Sequence, residues 1–162
     1  MVTFYFDTSA LVKRYHVEIG TDIIDKIFEL EDPKFVISHW TVLEFTVALS
    51  AKVRRKELSK ESFNVVVSRF LRDILDDFTI TSVNDELVAL ATPLTVKYSL
   101  PSSDCLQLAC VLSLKSTLES VGEKPVLICS DMDLSRAAQR EGIRSINPEE
   151  KDAWEKLKTI IT

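Results

Sequence analysis

The feature that most constrains this chain is the alternation, from one end to the other, of short apolar β-rich runs with helical periodicity. Strands and helices in alternation build βαβ units, and these build a parallel sheet with helices over its faces. Residues 2–6, 35–37, 78–83, 126–129 and 143–146 read as five strands. Helices are expected over 9–15, over 19–30 (broken near Gly20, closed before Pro33), over 41–55, and from the N-cap candidate Ser59 to Leu75. Asn84 should cap a helix through Val88, Leu90 and Ala91, which Pro93 should kink or restart. Pro101 stops that stretch, and Ser102 or Ser103 is expected to cap DCLQLACVLSLKSTLES. The helix after the fourth strand runs to Arg140 with Gly142 as its C′ residue, and Asn147-Pro148 ends the fifth strand. The tail from Glu149 to Thr162 reads as a helix with Trp154, Leu157, Ile160 and Ile161 on one side. With three glycines, five prolines and no repeat or low-complexity tract, one domain is expected: residues 1–148, with the helical tail 149–162 packed on it.

A chain of 162 residues that is 46% hydrophobic and 28% charged has the balance of a globular domain and not of a disordered one. No apolar run approaches the ~20 residues of a membrane helix. MVTFYFDTSA has neither the basic start nor the cleavage site of a signal peptide, so a cytoplasmic location is expected. Cys105, Cys110 and Cys129 are odd in number, lie in apolar segments and form no CxxC pair. They read as buried free thiols and not as a zinc site or disulfide framework. A formal charge of −5 argues against a general RNA-coating protein, while leaving room for a local basic groove.

Four acids stand out: Asp7 in FYFDTSAL, Glu44 in WTVLEFTVAL, Asp104 in LPSSDCLQLA and Asp131 in LICSDMDL. Asp7 and Asp131 follow the first and fourth strands, at the carboxyl edge where ligands gather on a parallel sheet. Glu44 and Asp104 sit on apolar-periodic helices, where a carboxylate is costly unless a cation or donor meets it. Singly, each has a plain explanation. Asp7 can cap a helix, Glu44 can face solvent, Asp104 suits a helix's first turn, and Asp131 can be a loop acid like its neighbour Asp133. Jointly they point to a divalent cation. Mg²⁺ and Mn²⁺ favour oxygen ligands, and a Mg²⁺ site uses one or two carboxylates and keeps several waters. Crowded carboxylates raise one another's pKa until a cation binds, and titrate as a cluster. Such a centre suits phosphodiester hydrolysis, because a bound cation activates water and stabilises charge at phosphorus.

From FYFDTSALVKRY through VISHWTVLEFTVAL and LPSSDCLQLA to LICSDMDLSRAAQREGIRSINP, the chain resembles the PIN domain, in particular the VapC-type toxin ribonucleases of prokaryotic toxin–antitoxin pairs. A strand followed by Asp-Thr-Ser-Ala-Leu-Val-Lys opens the match. Asp131 with Leu134, Ala137, Ala138, Gly142 and Asn147-Pro148 closes it. The resemblance implies a PIN-like three-layer α/β/α fold with a central parallel sheet of about five strands. It also implies an Mg²⁺- or Mn²⁺-dependent endoribonuclease, a cognate antitoxin and a homodimer. Carried over, Asp7, Glu44, Asp104 and Asp131 take the four acidic positions. Ser9, and after it Thr8, would set a hydroxyl beside the metal. Ser130 stands where the family often has Thr, and Asp133 would support the ligands from behind. The pattern departs around Asp104: Ser-Leu-Pro-Ser-Ser precedes it where a Gly is common, and Cys105 and Gln107 replace the family's Asp-Ala-x-His continuation.

On that basis Asp7, Asp104 and Asp131 hold one or two metals while Glu44 orients the attacking water. His16 and His39 are structural or surface residues. Lys13 and Arg14, with Lys52, Arg54, Arg55 and Lys56, are either a phosphate track or a solvated helix end. Trp40 and Tyr15 either stack on bases or pack in the core. Ile23, Ile24, Ile27, Phe28 and Leu30 form core or, by the resemblance, a surface for a second copy or the antitoxin. Two further readings compete. A phosphatase with Asp7 as nucleophile would want a second Asp where Ser9 stands, and a non-catalytic PIN-like RNA-binding scaffold would be expected to have lost acids that this chain keeps.

Overall fold

The structure, a computed structural model, describes residues 2–161. Among them five strands form one parallel sheet: β1 (Thr3–Phe6), β2 (Lys34–Ser38), β3 (Phe78–Thr81), β4 (Pro125–Ile128) and β5 (Arg144–Ile146). Their order is β3-β2-β1-β4-β5. The chain winds outward from β1 through β2 to β3, then returns to the other side of β1 for β4 and β5. The crevice between the carboxyl ends of β1 and β4 is therefore the point where the winding reverses, the usual ligand position in an open parallel sheet.

The helices are α1 (Thr8–Leu11), followed by a 3₁₀ turn (Val12–Arg14), then α2 (Thr21–Phe28), α3 (His39–Arg54), α4 (Lys60–Asp76), α5 (Asp85–Tyr98), α6 (Ser102–Glu119), α7 (Met132–Arg140) and α8 (Ala153–Ile161). Side chains along β1 alternate between the two faces. Phe4 and Phe6 join Ile24, Ile27, Phe45, Leu49, Phe70 and Leu157 in one core, whereas Tyr5 joins Leu94, Leu108, Ala109 and Leu134 in the other. With both faces covered, the fold is the three-layer α/β/α arrangement expected, and its central strands β1, β2 and β4 are buried on both sides. Among the described residues no helix is long and apolar enough to cross a membrane.

Ser59 accepts from Ser62 N and Asn84 from Leu87 N, so both serve as the expected N-caps. Gly142 takes the left-handed backbone (φ +74°) required after α7. That closure bonds Ile143 N to Ala138 O, which delays β5 to Arg144. β3 ends at Thr81 because its partner strand ends at Ser38, leaving Ser82 and Val83 unpaired. α3 begins at His39, two residues earlier than expected, since Ser38 and Thr41 form a reciprocal capping box.

Two expected helix boundaries differ: Pro93 starts no new turn, and neither serine before Asp104 is a cap. α5 runs unbroken through Pro93, where Thr92 Oγ1 donates to Val88 O (2.8 Å) and Thr95 Oγ1 to Thr92 O (2.7 Å) around the missing N–H. The N-cap of α6 is Pro101, not Ser102 or Ser103. Its extended backbone (φ −55°, ψ 153°) leads straight into the helix, so both serines fall in the first turn. α8 buries Ala153 and Leu157, with Trp154, Ile160 and Ile161 partly covered against the first core; Thr162 lies outside the described residues. All three cysteines are free and buried.

Candidate metal centre

Asp7 follows β1 directly and continues its ladder, donating its N–H to Ile128 O. It is 6% exposed. Its Oδ2 caps α1, accepting from Ser9 N (2.9 Å) and Ser9 Oγ (2.5 Å). Ser9 Oγ accepts in turn from Ser130 N (2.9 Å), which ties the loop after β1 to the loop after β4. Below them the buried Cys129 Sγ donates to Asp131 O at 3.4 Å. Asp131 caps α7, its Oδ1 accepting from Asp133 N and Leu134 N (2.9 Å each). The capping explanations for Asp7 and Asp131 are thus correct, and they do not exclude ligation, because a carboxylate has more lone pairs than one cap uses.

Glu44 lies on α3, half-buried. Its Oε2 accepts from Thr8 Oγ1 (3.0 Å) and Gln107 Nε2 (2.9 Å). The two hydroxyls after β1 therefore divide their work, Ser9 fixing Asp7 and Thr8 fixing Glu44. Gln107 is buried, and its amide cannot rotate freely: Oε1 accepts from Tyr5 Oη at 2.6 Å, and from Ser38 and Thr41 hydroxyls at 3.3 Å each. Sequence reasoning marked Gln107 only as a departure from a pattern. Its spacing from Asp104, three residues along the same helix, was the signal that it turns toward the same region.

Asp104 occupies the first turn of α6. Burial lifts its carboxyl to about 6, and the charges of Asp131, Asp7 and Glu44 push the same way. Burial also raises Asp7; the Ser9 hydroxyl and amide oppose this, and Glu44 adds to it. The structure thus brings the four acids into one electrostatic neighbourhood. Among the described residues none of the four is ion-paired to a Lys or Arg. Ser130 Oγ is buried without a hydrogen-bond partner, a group that water on a cation would satisfy. Among the described residues no three His, Cys, Asp or Glu side chains form a ready-made coordination group. The donor set nonetheless fits Mg²⁺ or Mn²⁺, which take oxygen ligands and, for Mg²⁺, keep several waters. Asp133, by contrast, is exposed at the mouth of the site and sits 3.8 Å from Arg136 Nη1.

Asp104 and Asp131 line a cleft of about 260 Å³, and Arg136 and Arg140 of α7 line it with them. Sequence reasoning passed over these arginines. Their spacing of four on the helix that Asp131 caps was the available clue. The basic residues it did single out are largely engaged elsewhere. Lys13 is buried and pairs with Glu18 (3.3 Å) and Glu149 (2.7 Å), and Lys52 pairs with Glu18 and Glu57. Arg14 pairs with Asp25 (2.7 Å) and lies over the Phe28 ring, and Arg55 pairs with Glu57. Tyr15 is a core residue, edge-on to Phe45 and Phe70 and donating to Asp73 Oδ2. Trp40 is half-buried with its Nε1 unpartnered. Ile23, Ile24 and Ile27 are buried in the first core and present no surface.

The sequence pattern of the PIN domain matches residues 4–139. The structure of FitAB bound to an IR36 DNA fragment superposes with a TM-score of 0.65 at 15% identity, over 91% of this chain and 96% of that one. VapBC-1 from nontypeable Haemophilus influenzae gives 0.58 at 12%, over 92% and 100%. A toxin–antitoxin complex from Klebsiella pneumoniae gives 0.54 at 19%, over 90% and 98%. No curated protein matches in sequence. At these identities the structural likeness speaks for the fold, while the match over most of the chain speaks for membership: the chain belongs to the PIN domain family.

Proposed function

We propose that this chain is a metal-dependent endoribonuclease, the toxin of a type II toxin–antitoxin pair, hydrolysing RNA phosphodiester bonds at Asp7, Glu44, Asp104 and Asp131. The observation that carries the reading is the convergence of the four acids at the carboxyl ends of β1 and β4, where Asp104 and Asp131 line one cleft and burial with the three neighbouring carboxylates raises the Asp104 carboxyl to about 6. A cluster of acids with no paired cation is a functional-site signature. Family membership supports a nuclease. The likeness to FitAB, VapBC-1 and the Klebsiella complex supports a cognate antitoxin as partner. We further assign a homodimer and a cytoplasmic location.

Asp7, Asp104 and Asp131 would hold Mg²⁺ or Mn²⁺. When bound, the cation supplies a water of lowered pKa and neutralises charge at the phosphate. Ser9 keeps the Asp7 carboxylate in one orientation. Thr8 and Gln107 both bond Glu44 Oε2, which leaves Oε1 as the atom to orient the attacking water and take its proton. One observation favours a second reading, a PIN-like non-catalytic RNA-binding or scaffold protein: no three-ligand group is preformed among the described residues.

Purified, antitoxin-free protein incubated with a labelled RNA pool in Mg²⁺, Mn²⁺ or EDTA tests both readings. Cuts that need the metal and vanish in Asp7→Asn are the expected result. Equal cleavage by Asp7→Asn contradicts the site, and folded protein inert with both metals favours the scaffold.

A further inference from the structure

An RNA strand carries a negative charge at every nucleotide, and the centre it must reach holds four carboxylates in a chain of net charge −5. A bound cation offsets this only locally. The phosphates on either side of the bond to be cut still face an acidic surface unless fixed positive charge lies close by. The cations near the start of the chain do not supply it, because Lys13, Arg14 and Lys52 are committed to carboxylates. The wall of the acidic cleft itself does.

From these observations we infer that Arg136 and Arg140 form a phosphate-binding subsite beside the acidic centre, gripping the RNA strand at a phosphate that flanks the scissile one. The inference rests on the endoribonuclease reading above and deepens it. Both arginines line the cleft that Asp104 and Asp131 also line. Four residues apart on α7, they present one face. Asp131 caps the same helix, so a single element sets the backbone positions of the acid and both arginines relative to one another, while the exposed side chains stay free to follow a phosphate. Arg136 is held only by a 3.8 Å contact to Asp133, with both side chains largely exposed, and such a pair exchanges readily for a phosphate. Arg140 is exposed and has no ion-pair partner among the described residues. The planar guanidinium fork matches two phosphate oxygens, which a solvated helix-end charge does not require.

The test is the affinity of the full chain for a fluorescent single-stranded RNA in EDTA, over a series of salt concentrations, together with cleavage kinetics in Mn²⁺. Arg136→Gln/Arg140→Gln should weaken binding roughly tenfold and make the slope of log K against log salt shallower by about 1 to 1.5. KM should rise while kcat stays within about threefold, the mark of lost binding as opposed to lost chemistry. Arg54→Gln/Lys56→Gln removes the same charge from two exposed residues of the other basic run that have no ion-pair partner among the described residues, and should change affinity less than about twofold. Unchanged affinity and slope in the α7 variant, or an equal loss in the control, overturns the subsite and leaves the nuclease standing. A wild-type chain that neither binds nor cuts RNA overturns both.

Discussion

Two charged clusters in this molecule obey the same electrostatics with opposite outcomes. In the first, Lys13 and Lys52 close on Glu18, with Glu149 and Glu57 at the two ends of the chain of ion pairs. Burial alone would raise Glu18, yet the Lys52 and Lys13 ammonium groups hold it below the usual carboxylate range. In the second, Asp7, Glu44, Asp104 and Asp131 are gathered with hydrogen-bond donors but, among the described residues, without a paired cation, and the Asp104 carboxyl rises to about 6. A fold settles its structural charges internally. Where it gathers like charges and leaves them unsettled, the missing partner comes from outside. The first cluster is a clasp joining the N-terminal turn, α3 and the segment before α8; the second is the site we propose.

Substitutions at matched positions should separate the two. Asp7→Asn removes a proposed ligand and should lower cleavage on the order of a thousandfold or more, at near-native stability in urea. Lys13→Met breaks the clasp. It should cost about 2–3 kcal/mol in urea unfolding, less than a fully buried pair because both partner carboxylates are partly exposed, and leave cleavage per folded molecule unchanged. Gln107→Leu frees Glu44 on one side and should reduce kcat roughly 10- to 100-fold, with a smaller change in Mn²⁺ affinity. The smallest effect is the most diagnostic. Asp104→Asn should raise the metal-free melting temperature by a few degrees while abolishing activity. The pH dependence follows the same sign. Folded Asp104 binds its proton more tightly than the unfolded chain, whose ordinary value is 3.8, so between that and about 6 folding takes up protons. The metal-free protein should therefore lose this contribution as pH rises through that window and lose no more of it above. Added Mn²⁺ should reverse the loss. A melting temperature that rises across the window, with Asp104→Asn no more stable, would break the comparison.

Much of this was legible because local rules and global fold agree. Strand runs, the caps Ser59 and Asn84, the glycine after α7 and the position of Asp7 and Asp131 at strand ends are all set within a few residues. What escaped depends on partners distant in sequence. Little in the sequence distinguishes Lys13, whose shorter ion pair is to Glu149 near the other end of the chain, from Arg140, which has no ion-pair partner among the described residues. Gln107 looked like a lost histidine until Tyr5, Thr41 and Glu44 were seen converging on its amide. Pro93 was expected to kink or restart its helix; the helix continues past it without a new turn, with Leu87, Ala91 and Leu94 packed in the second core.

Calorimetric titration of Mn²⁺ into the metal-free full chain near pH 7.5, repeated with Asp104→Asn and Lys13→Met, tests the central claim most directly. The acidic cluster should take up Mn²⁺ saturably, with proton release. Asp104→Asn should weaken the binding on the order of tenfold or more, and Lys13→Met should leave it intact. No saturable uptake by folded wild-type protein, or equal uptake by Asp104→Asn, would contradict the claim that these four acids are gathered to meet a cation.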